Sequence, residues 1–195
     1  MKYGVSLNVA GGTHHAYAER GGGFCMFNDC AIATNHLLQE NPKSRILIVD
    51  LDVHQGNGTA YIFKNQPNVF TFSMHGRNNY PFIKERSDCD IPLDDGIGDD
   101  EYLKTLSVIF PKIADGFRPD FIFYLAGVDL LTCDKLGKLS MTHQGLFQRD
   151  TIVFNYCKRK KIPVCVTMAG GYSKVLKNII DAHVNTFKSA VSVFE

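Results

Sequence analysis

The chain has no tryptophan, and its six cysteines (Cys25, Cys30, Cys89, Cys133, Cys157 and Cys165) include no CxxC pair, which argues against a knuckle-type structural zinc site. No apolar run reaches the ~18 residues of a membrane span. The opening Met1-Lys2-Tyr3-Gly4 carries neither a secretory apolar segment nor a cleavage site. An excess of one charge is missing too. Lys plus Arg is 21 and Asp plus Glu is 20, and a net charge of +1 gives no nucleic-acid footprint and no call for an acidic partner. Repeats and low-complexity segments are absent. What remains is a chain of 195 residues, 45% hydrophobic and 21% charged, suited to one globular domain over residues 1–195 rather than to disorder, a fibre or two domains. A domain of this size needs no disulfide staples. Cysteines set in apolar runs act as small hydrophobes, so free thiols and a cytoplasmic, reducing location are expected.

Five short runs, 4–9, 45–51, 69–74, 120–126 and 163–168, are continuously apolar, as strands covered on both faces tend to be. Helical patterns fill the intervals at 27–39, 100–117, 143–161 and 173–193. Asp99, Asp100 and Glu101 suit a helix N-terminus, and Lys158-Arg159-Lys160-Lys161 suits a helix C-terminus better than a nucleic-acid patch. Strands alternating with helices predict an α/β fold with a doubly wound, mostly parallel sheet and helices on both faces. Ligands of such sheets sit beyond the C-terminal strand ends. The segment 75–98 reads as one long loop, a length that often carries function.

The strand ends are unusually rich in chemistry. The first runs into Gly11-Gly12-Thr13-His14-His15 and the second into Asp50-Leu51-Asp52-Val53-His54-Gln55-Gly56-Asn57-Gly58. The third ends in Ser73-Met74-His75, the fourth in Gly127-Val128-Asp129 and the fifth in Gly170-Gly171-Tyr172. Turns need only Gly, Asn or Ser, so five such endings on one rim exceed what turn chemistry requires.

Asp52 and His54 are two apart in an extended segment and point the same way, so both can reach one ion. Asp129 can add a third ligand from a neighbouring strand end. Two carboxylates and an imidazole suit Zn²⁺ or Fe²⁺, with a position left open for water. The bland alternative makes Asp52 and Asp129 helix caps and His54 a turn residue. His14 and His15 can both face inward if the backbone turns at Gly11 and Gly12, and two histidines beside an activated water suit general base and general acid. Each needs a partner on its other ring nitrogen, for which Asp50 and Asn57 are the candidates; a carboxylate raises imidazole basicity more than an amide. Tyr172 can donate to an oxyanion. Gly21-Gly22-Gly23-Phe24 lacks the Gly-Lys-Ser/Thr of a phosphate loop and reads instead as a flexible turn presenting Phe24 as an apolar wall.

This set, in this order, resembles the zinc-dependent histone deacetylase family, with its acetylpolyamine and acetoin-utilisation relatives. The matching pieces are Gly12-Thr13-His14-His15, Gly23-Phe24-Cys25 with Phe27-Asn28-Asp29, the run from Asp50 to Thr59, Ser73-Met74-His75, Ala126-Gly127-Val128-Asp129 and Ala169-Gly170-Gly171-Tyr172. Asn79-Tyr80-Pro81-Phe82 and Ser87-Asp88-Cys89-Asp90-Ile91-Pro92-Leu93 look most like the class IV branch. The resemblance implies an arginase-like fold. Asp52, His54 and Asp129 would hold the metal, Zn²⁺ or Fe²⁺. His14, His15, Tyr172, Asp50 and Asn57 would form the catalytic set, with Asp50 behind His14 and Tyr172 on the acyl carbonyl. Asn57 stands where some members carry a second Asp. Gly23, Phe24 and Gly171 would line a narrow tunnel for the substrate, opposed by Tyr80 or Phe82. A structural K⁺ would sit near Asp50, Asp52, His54, Ser73 and Met74, held largely by backbone carbonyls.

The implied activity is removal of an acetyl or longer acyl group from an ε-amino lysine or related amine, without direct contact to nucleic acid or membrane. The alternative is a catalytically impaired metal-binding remnant or interaction module. Family domains run to about 300 residues, at the upper range for one α/β domain. The resemblance therefore implies an N-terminally truncated domain that self-associates or needs a missing N-terminal segment.

Overall fold

The computed structural model describes residues 4–195. Six strands form one sheet in which every neighbouring pair is parallel, in the order β1-β6-β5-β2-β3-β4. The strands are β1 (Val5–Asn8), β2 (Ile46–Asp50), β3 (Val69–Gly76), β4 (Cys89–Leu93), β5 (Phe121–Leu125) and β6 (Val164–Thr167). The helices are α1 (Asp29–Glu40), α2 (Asn57–Phe63), α3 (Asp99–Phe117), α4 (His143–Lys160) and α5 (Leu176–Phe194). The doubly wound α/β fold expected from the alternating pattern is the one observed.

Side chains alternate across the strands and divide the core in two. Leu47, Val49, Phe72, Ile122 and Tyr124 pack with Leu106 and Phe110 of α3, Val153 and Phe154 of α4, and Ala182 and Ala190 of α5. Ile46, Ile48, Phe123 and Leu125 face the other way, against Cys30 and Ala31 of α1 and Phe63 of α2. Both faces of β2 are therefore covered, which is why its sequence is apolar without interruption. Each such side chain contributes roughly 1.5–3 kcal/mol on burial.

Two elements depart from expectation. The segment 75–98 is not one loop, because β4 lies inside it and pairs with β3. β4 was hidden by its Asp90 and Pro92; a proline is tolerated in a strand at a sheet edge, and β4 is an edge. The short helix α2 was hidden by Asn57 and Gly58, both poor helix formers. It is held instead by tertiary bonds: Thr59 N–H donates to His14 O at 3.1 Å, and Asn28 Nδ2 donates to Thr59 Oγ1 at 3.0 Å. The basic run closes α4, where Lys160 pairs with Asp115 at 2.6 Å. At the opposite edge of the sheet, β1 has no partner on its outer side among the described residues.

From β2 the chain moves outward to β3 and β4, and from β5 it moves the other way to β6. The order reverses between β2 and β5, which are in register from Ile46↔Phe121 to Asp50↔Leu125. A crevice opens beyond the C-terminal ends of strands at such a point.

Candidate active site at the strand ends

The floor of the crevice is made where β2 and β5 stop. Asp52 and His54 follow β2, Asp129 follows β5, and all three are buried. His54 Nδ1 lies 3.0 Å from Asp52 Oδ1 and 3.0 Å from Asp129 Oδ2. One ligand-type atom from each residue falls within 4.8 Å of the others, the single such three-residue group among the described residues. Backbone amides aim the carboxylates: Val53 N–H donates to Asp129 Oδ1 at 3.0 Å and Gly170 N–H to Asp52 Oδ2 at 2.7 Å. A Cβ on Gly170 would lie 2.1 Å from Asp129 Oδ2 and 2.7 Å from Asp52 Oδ2, so glycine is what keeps the space between the carboxylates open.

Two buried carboxylates share one imidazole here, and that shortage of positive charge shifts all three groups. Burial opposes a charge on His54, but hydrogen bonds and attraction from Asp129 and Asp52 outweigh it and lift its pKa to about 10. Asp129 is raised to about 7, first by burial and then by repulsion from Asp52. Asp52 is held below the ordinary carboxylate range, because the His14 and His54 charges and the bonds from His54 outweigh its burial. A divalent cation supplies the charge this trio lacks, and two carboxylates with one imidazole are a hard-to-borderline donor set. The residues fit such an ion.

One wall is formed by the adjacent histidines. Gly11 and Gly12 take positive φ (84° and 77°), giving the turn that brings both rings inward. Asp29 locks this turn by accepting from Gly12 N–H (2.9 Å), Thr13 N–H (2.8 Å) and Thr13 Oγ1 (2.7 Å). Asn28 caps α1 through Ala31 N–H and donates to Ala16 O at 3.2 Å. Asn28-Asp29, conspicuous in the sequence but without a stated task, is thus the bracket of the histidine turn, while Phe27 before them is exposed.

The two rings have different partners. His14 Nδ1 donates to Asp50 Oδ2 at 2.6 Å. Burial works against a charge on His14, but the attraction and hydrogen bond of Asp50 prevail and raise its pKa to about 9. His15 Nδ1 lies 2.7 Å from Asn57 Oδ1, and Asn57 Nδ2 donates to Tyr17 Oη at 3.0 Å. With its amide so oriented, Asn57 accepts the Nδ1–H of His15 and leaves Nε2 as a free acceptor. Burial and the neighbouring His14 charge depress the His15 pKa to about 3.

A cavity of about 380 Å³ leads down to these groups, lined by His15, Gly23, Phe24, His54, Asn78, Asn79, Tyr80, Phe82, Leu136, Lys138 and Tyr172. Tyr80 and Phe82, not separable in sequence, take different depths. Tyr80 stands edge-on to His15 with ring centroids 4.8 Å apart, whereas Phe82 is 88% exposed at the mouth. Phe24, with φ 68°, is 91% exposed, and its ring centroid lies 6.2 Å from that of Tyr172. Tyr172 lies 6.1 Å from His54 by the same measure; burial and the charges of Asp52 and Asp129 raise its phenol above the usual range, so it stays an O–H donor. Gly171 is turned away from the cavity: a Cβ there would meet Val128 Cγ2 at 2.7 Å.

Of the proposed potassium residues, Asp50 and Ser73 are paired in register between β2 and β3, and Met74 follows, all buried. Their oxygens are hard donors beside an excess of carboxylate, which fits a monovalent cation. Ser73 Oγ also lies 3.0 Å from His75 Nδ1.

Several participants escaped the sequence reading. Asp134 accepts Tyr172 N–H at 2.6 Å and fixes the tyrosine's backbone. Lys84 Nζ donates to Asn79 O at 2.7 Å and Pro81 O at 2.5 Å, bracing the turn that carries Tyr80 and Phe82. Gln55 donates to Glu85 O (2.7 Å) and Asp90 Oδ1 (2.8 Å), joining that turn to β4. Only the nearness of these residues to the motifs hinted at such roles.

Comparison with known proteins agrees with this geometry. An uncharacterised protein of Picosynechococcus sp. is 45% identical over 194 residues, spanning 100% of this chain and 65% of its own length. Histone deacetylase 2 of Arabidopsis thaliana is 35% identical over 180 residues, 91% of this chain and 46% of its own. The chain thus spans about half to two thirds of these curated relatives. The crystal structure of the HDA15 HD domain superimposes with a TM-score of 0.77 at 29% identity, covering 93% of this chain and 56% of that one. Residues 1–187 match the histone deacetylase domain, and the chain belongs to that family.

Proposed function

We propose that the protein is a metal-dependent amide hydrolase that removes an acetyl or longer acyl group from an ε-amino lysine or a related amine. The observation that carries this reading is the convergence, at the foot of one apolar-walled cavity, of the Asp52–His54–Asp129 cradle with a neutral histidine and a tyrosine hydroxyl. Asp52, His54 and Asp129 would hold Zn²⁺ or Fe²⁺. Such an ion supplies Lewis acidity, polarising the acyl carbonyl and making a water easier to deprotonate.

The chain's own groups do the rest. Phe24 and Phe82 receive the alkyl stem of the amine at the mouth, and Tyr80 narrows the path below them. His15, with Nδ1–H fixed on Asn57, takes a proton from the attacking water at Nε2. The water oxygen bonds to the acyl carbon, and Tyr172 donates to the carbonyl oxygen as negative charge grows there. His15 returns the proton to the amine nitrogen as the C–N bond breaks, leaving a carboxylic acid and a free amine. His14, sharing its proton with Asp50, stays positive and favours the developing oxyanion. A K⁺ beside Asp50 and Ser73 would steady the second strand end.

The test is release of acetate, and of longer acids, from acyl-lysine reporters by zinc- and iron-loaded protein. Turnover that a chelator abolishes and metal restores is expected. Stoichiometric metal binding without turnover at any acyl length would instead mark a metal-binding module.

A further inference from the structure

Arg149 of α4 is wholly buried, does not line the cavity, and is unused by the chemistry above. Its Nη1 donates to Gly127 O at 2.6 Å and reaches Leu51 O at 3.3 Å. These are the carbonyls just past the ends of β5 and β2. Leu51 O belongs to the peptide that leads into Asp52, and Gly127 lies two residues before Asp129. Beyond the last ladder bonds such carbonyls have no strand partner, and a buried acceptor left unpaired is costly.

The other side of the guanidinium faces an anion. Nε donates to Asp150 Oδ1 at 2.9 Å, and Nη2 lies 2.8 Å from the same oxygen. Tyr124 Oη of β5 donates to Asp150 Oδ1, and Thr186 Oγ1 of α5 donates to Asp150 Oδ2 at 2.7 Å. One planar cation, fixed by an anion that is itself anchored to β5 and α5, therefore grips both strand ends that carry the cradle.

A buried Arg–Asp pair adds little net stability over well-packed apolar residues, because desolvation offsets its attraction. Its distinctive contribution is orientation, which a fork of fixed geometry provides and a flexible ammonium does not. We infer that Arg149 is a positioning residue for the metal cradle, setting the spacing between the Asp52–His54 and Asp129 strand ends. The inference rests on the reading of those three residues as metal ligands and is independent of the acyl substrate.

The experiment measures Co²⁺ binding to the full chain, by chelator competition and by the visible absorption of the bound ion, with melting temperature in parallel. Arg149→Met and Arg149→Lys are compared with Leu106→Ala, which truncates a buried apolar side chain of α3 in the hydrophobic core. Both Arg149 variants should bind Co²⁺ about tenfold more weakly, as loss of a ligand-orienting group does, with an altered absorption band. Leu106→Ala should melt lower yet bind with wild-type affinity and spectrum. Should Arg149→Met fail to fold, Arg149→Lys decides. Wild-type affinity and spectrum in a folded Arg149 variant would overturn the inference, as would an equal loss in Leu106→Ala. Failure of the wild type to bind Co²⁺ would instead remove the metal reading itself.

Discussion

The floor of the pocket and its histidine wall meet where His14 Nε2 comes within 3.9 Å of Asp52 Oδ1, yet they handle buried charge in opposite ways. On the wall each ring has one partner: a carboxylate for His14 and an amide for His15. Each Nδ1 there is satisfied by protein alone. On the floor two carboxylates compete for one imidazole nitrogen, and that nitrogen must hold its proton well above the usual range. Charge left unbalanced in one buried place and balanced in the next is what a cation site at the first would require. The two meet through His14, whose charge also helps to keep Asp52 ionised, while His15 stays neutral.

The sharpest way to break the contrast is to remove a floor carboxylate. Asp129→Ala should abolish stoichiometric zinc binding, because two remaining ligands seldom hold a catalytic divalent ion against buffer. The wall should survive, since Asp129 touches neither His14 nor His15. Elemental analysis after dialysis measures this, and one retained zinc per chain would remove Asp129 from the ligand set.

Tyr172→Phe separates the two regions from the other side. The variant should keep its metal and lose about 10²- to 10³-fold in kcat, the cost of one oxyanion donor. A change under about threefold, with metal intact, would make Tyr172 a bystander.

Much of this site was legible in the sequence, because strand ends are read in order and each ended in a metal-competent or titratable group. All five expected strands are present; four are trimmed by one residue at each end, and β3 runs two residues further than expected, to Gly76, where it pairs with β4. What stayed hidden depends on three-dimensional neighbours. Arg149 lies in a helix whose pattern says only which side is buried, and nothing local says that two carbonyls await it. Gly170 reads as a turn glycine until the two carboxylates beside its α-carbon are seen. β4 and α2 carry residues that disfavour their own conformations, and they exist because β3 offers an edge and the histidine turn offers bonds.

The floor's titration yields a pH prediction of intermediate size. The pKa of His54 in the metal-free protein is raised from 6.5 to about 10, so at pH 7 the ring carries a proton on the nitrogen that must face the metal. Binding must displace it. Apparent affinity should therefore rise about tenfold per pH unit from pH 7 towards 10, with at least one proton released per ion. For the metal-free fold the sign is the reverse: a raised histidine pKa stabilises fully below about pH 6.5, and that contribution fades as pH climbs through about 10. Calorimetry in buffers of different ionisation enthalpy counts the protons. Binding without proton release would mean that Nδ1 of His54 is not the ligand atom.

The smallest expected effect, and the most direct test of why the two histidines differ, comes from giving them the same partner. In the wild type Asn57 accepts the Nδ1–H of His15 without lending it charge, and His15 stays neutral down to about pH 3. Asn57→Asp places a carboxylate at the same contact, where an opposite charge typically raises a neighbouring pKa by 1–3 units. Tyr17 Oη, which accepts from Asn57 Nδ2 and donates to Glu85 Oε1 at 3.2 Å, can turn its hydroxyl from the part-exposed Glu85 to the new carboxylate, so the fold should tolerate the change. His15 would then begin to hold its proton in the mildly acidic range and could no longer accept one from water there. The profile of kcat/KM should gain an acidic limb that the wild type lacks, with a loss of up to about tenfold near pH 5 recovered by pH 7, while metal content is unchanged. An unaltered profile would mean that His15 is not the base, and that the asymmetry between the two partners serves structure rather than proton transfer.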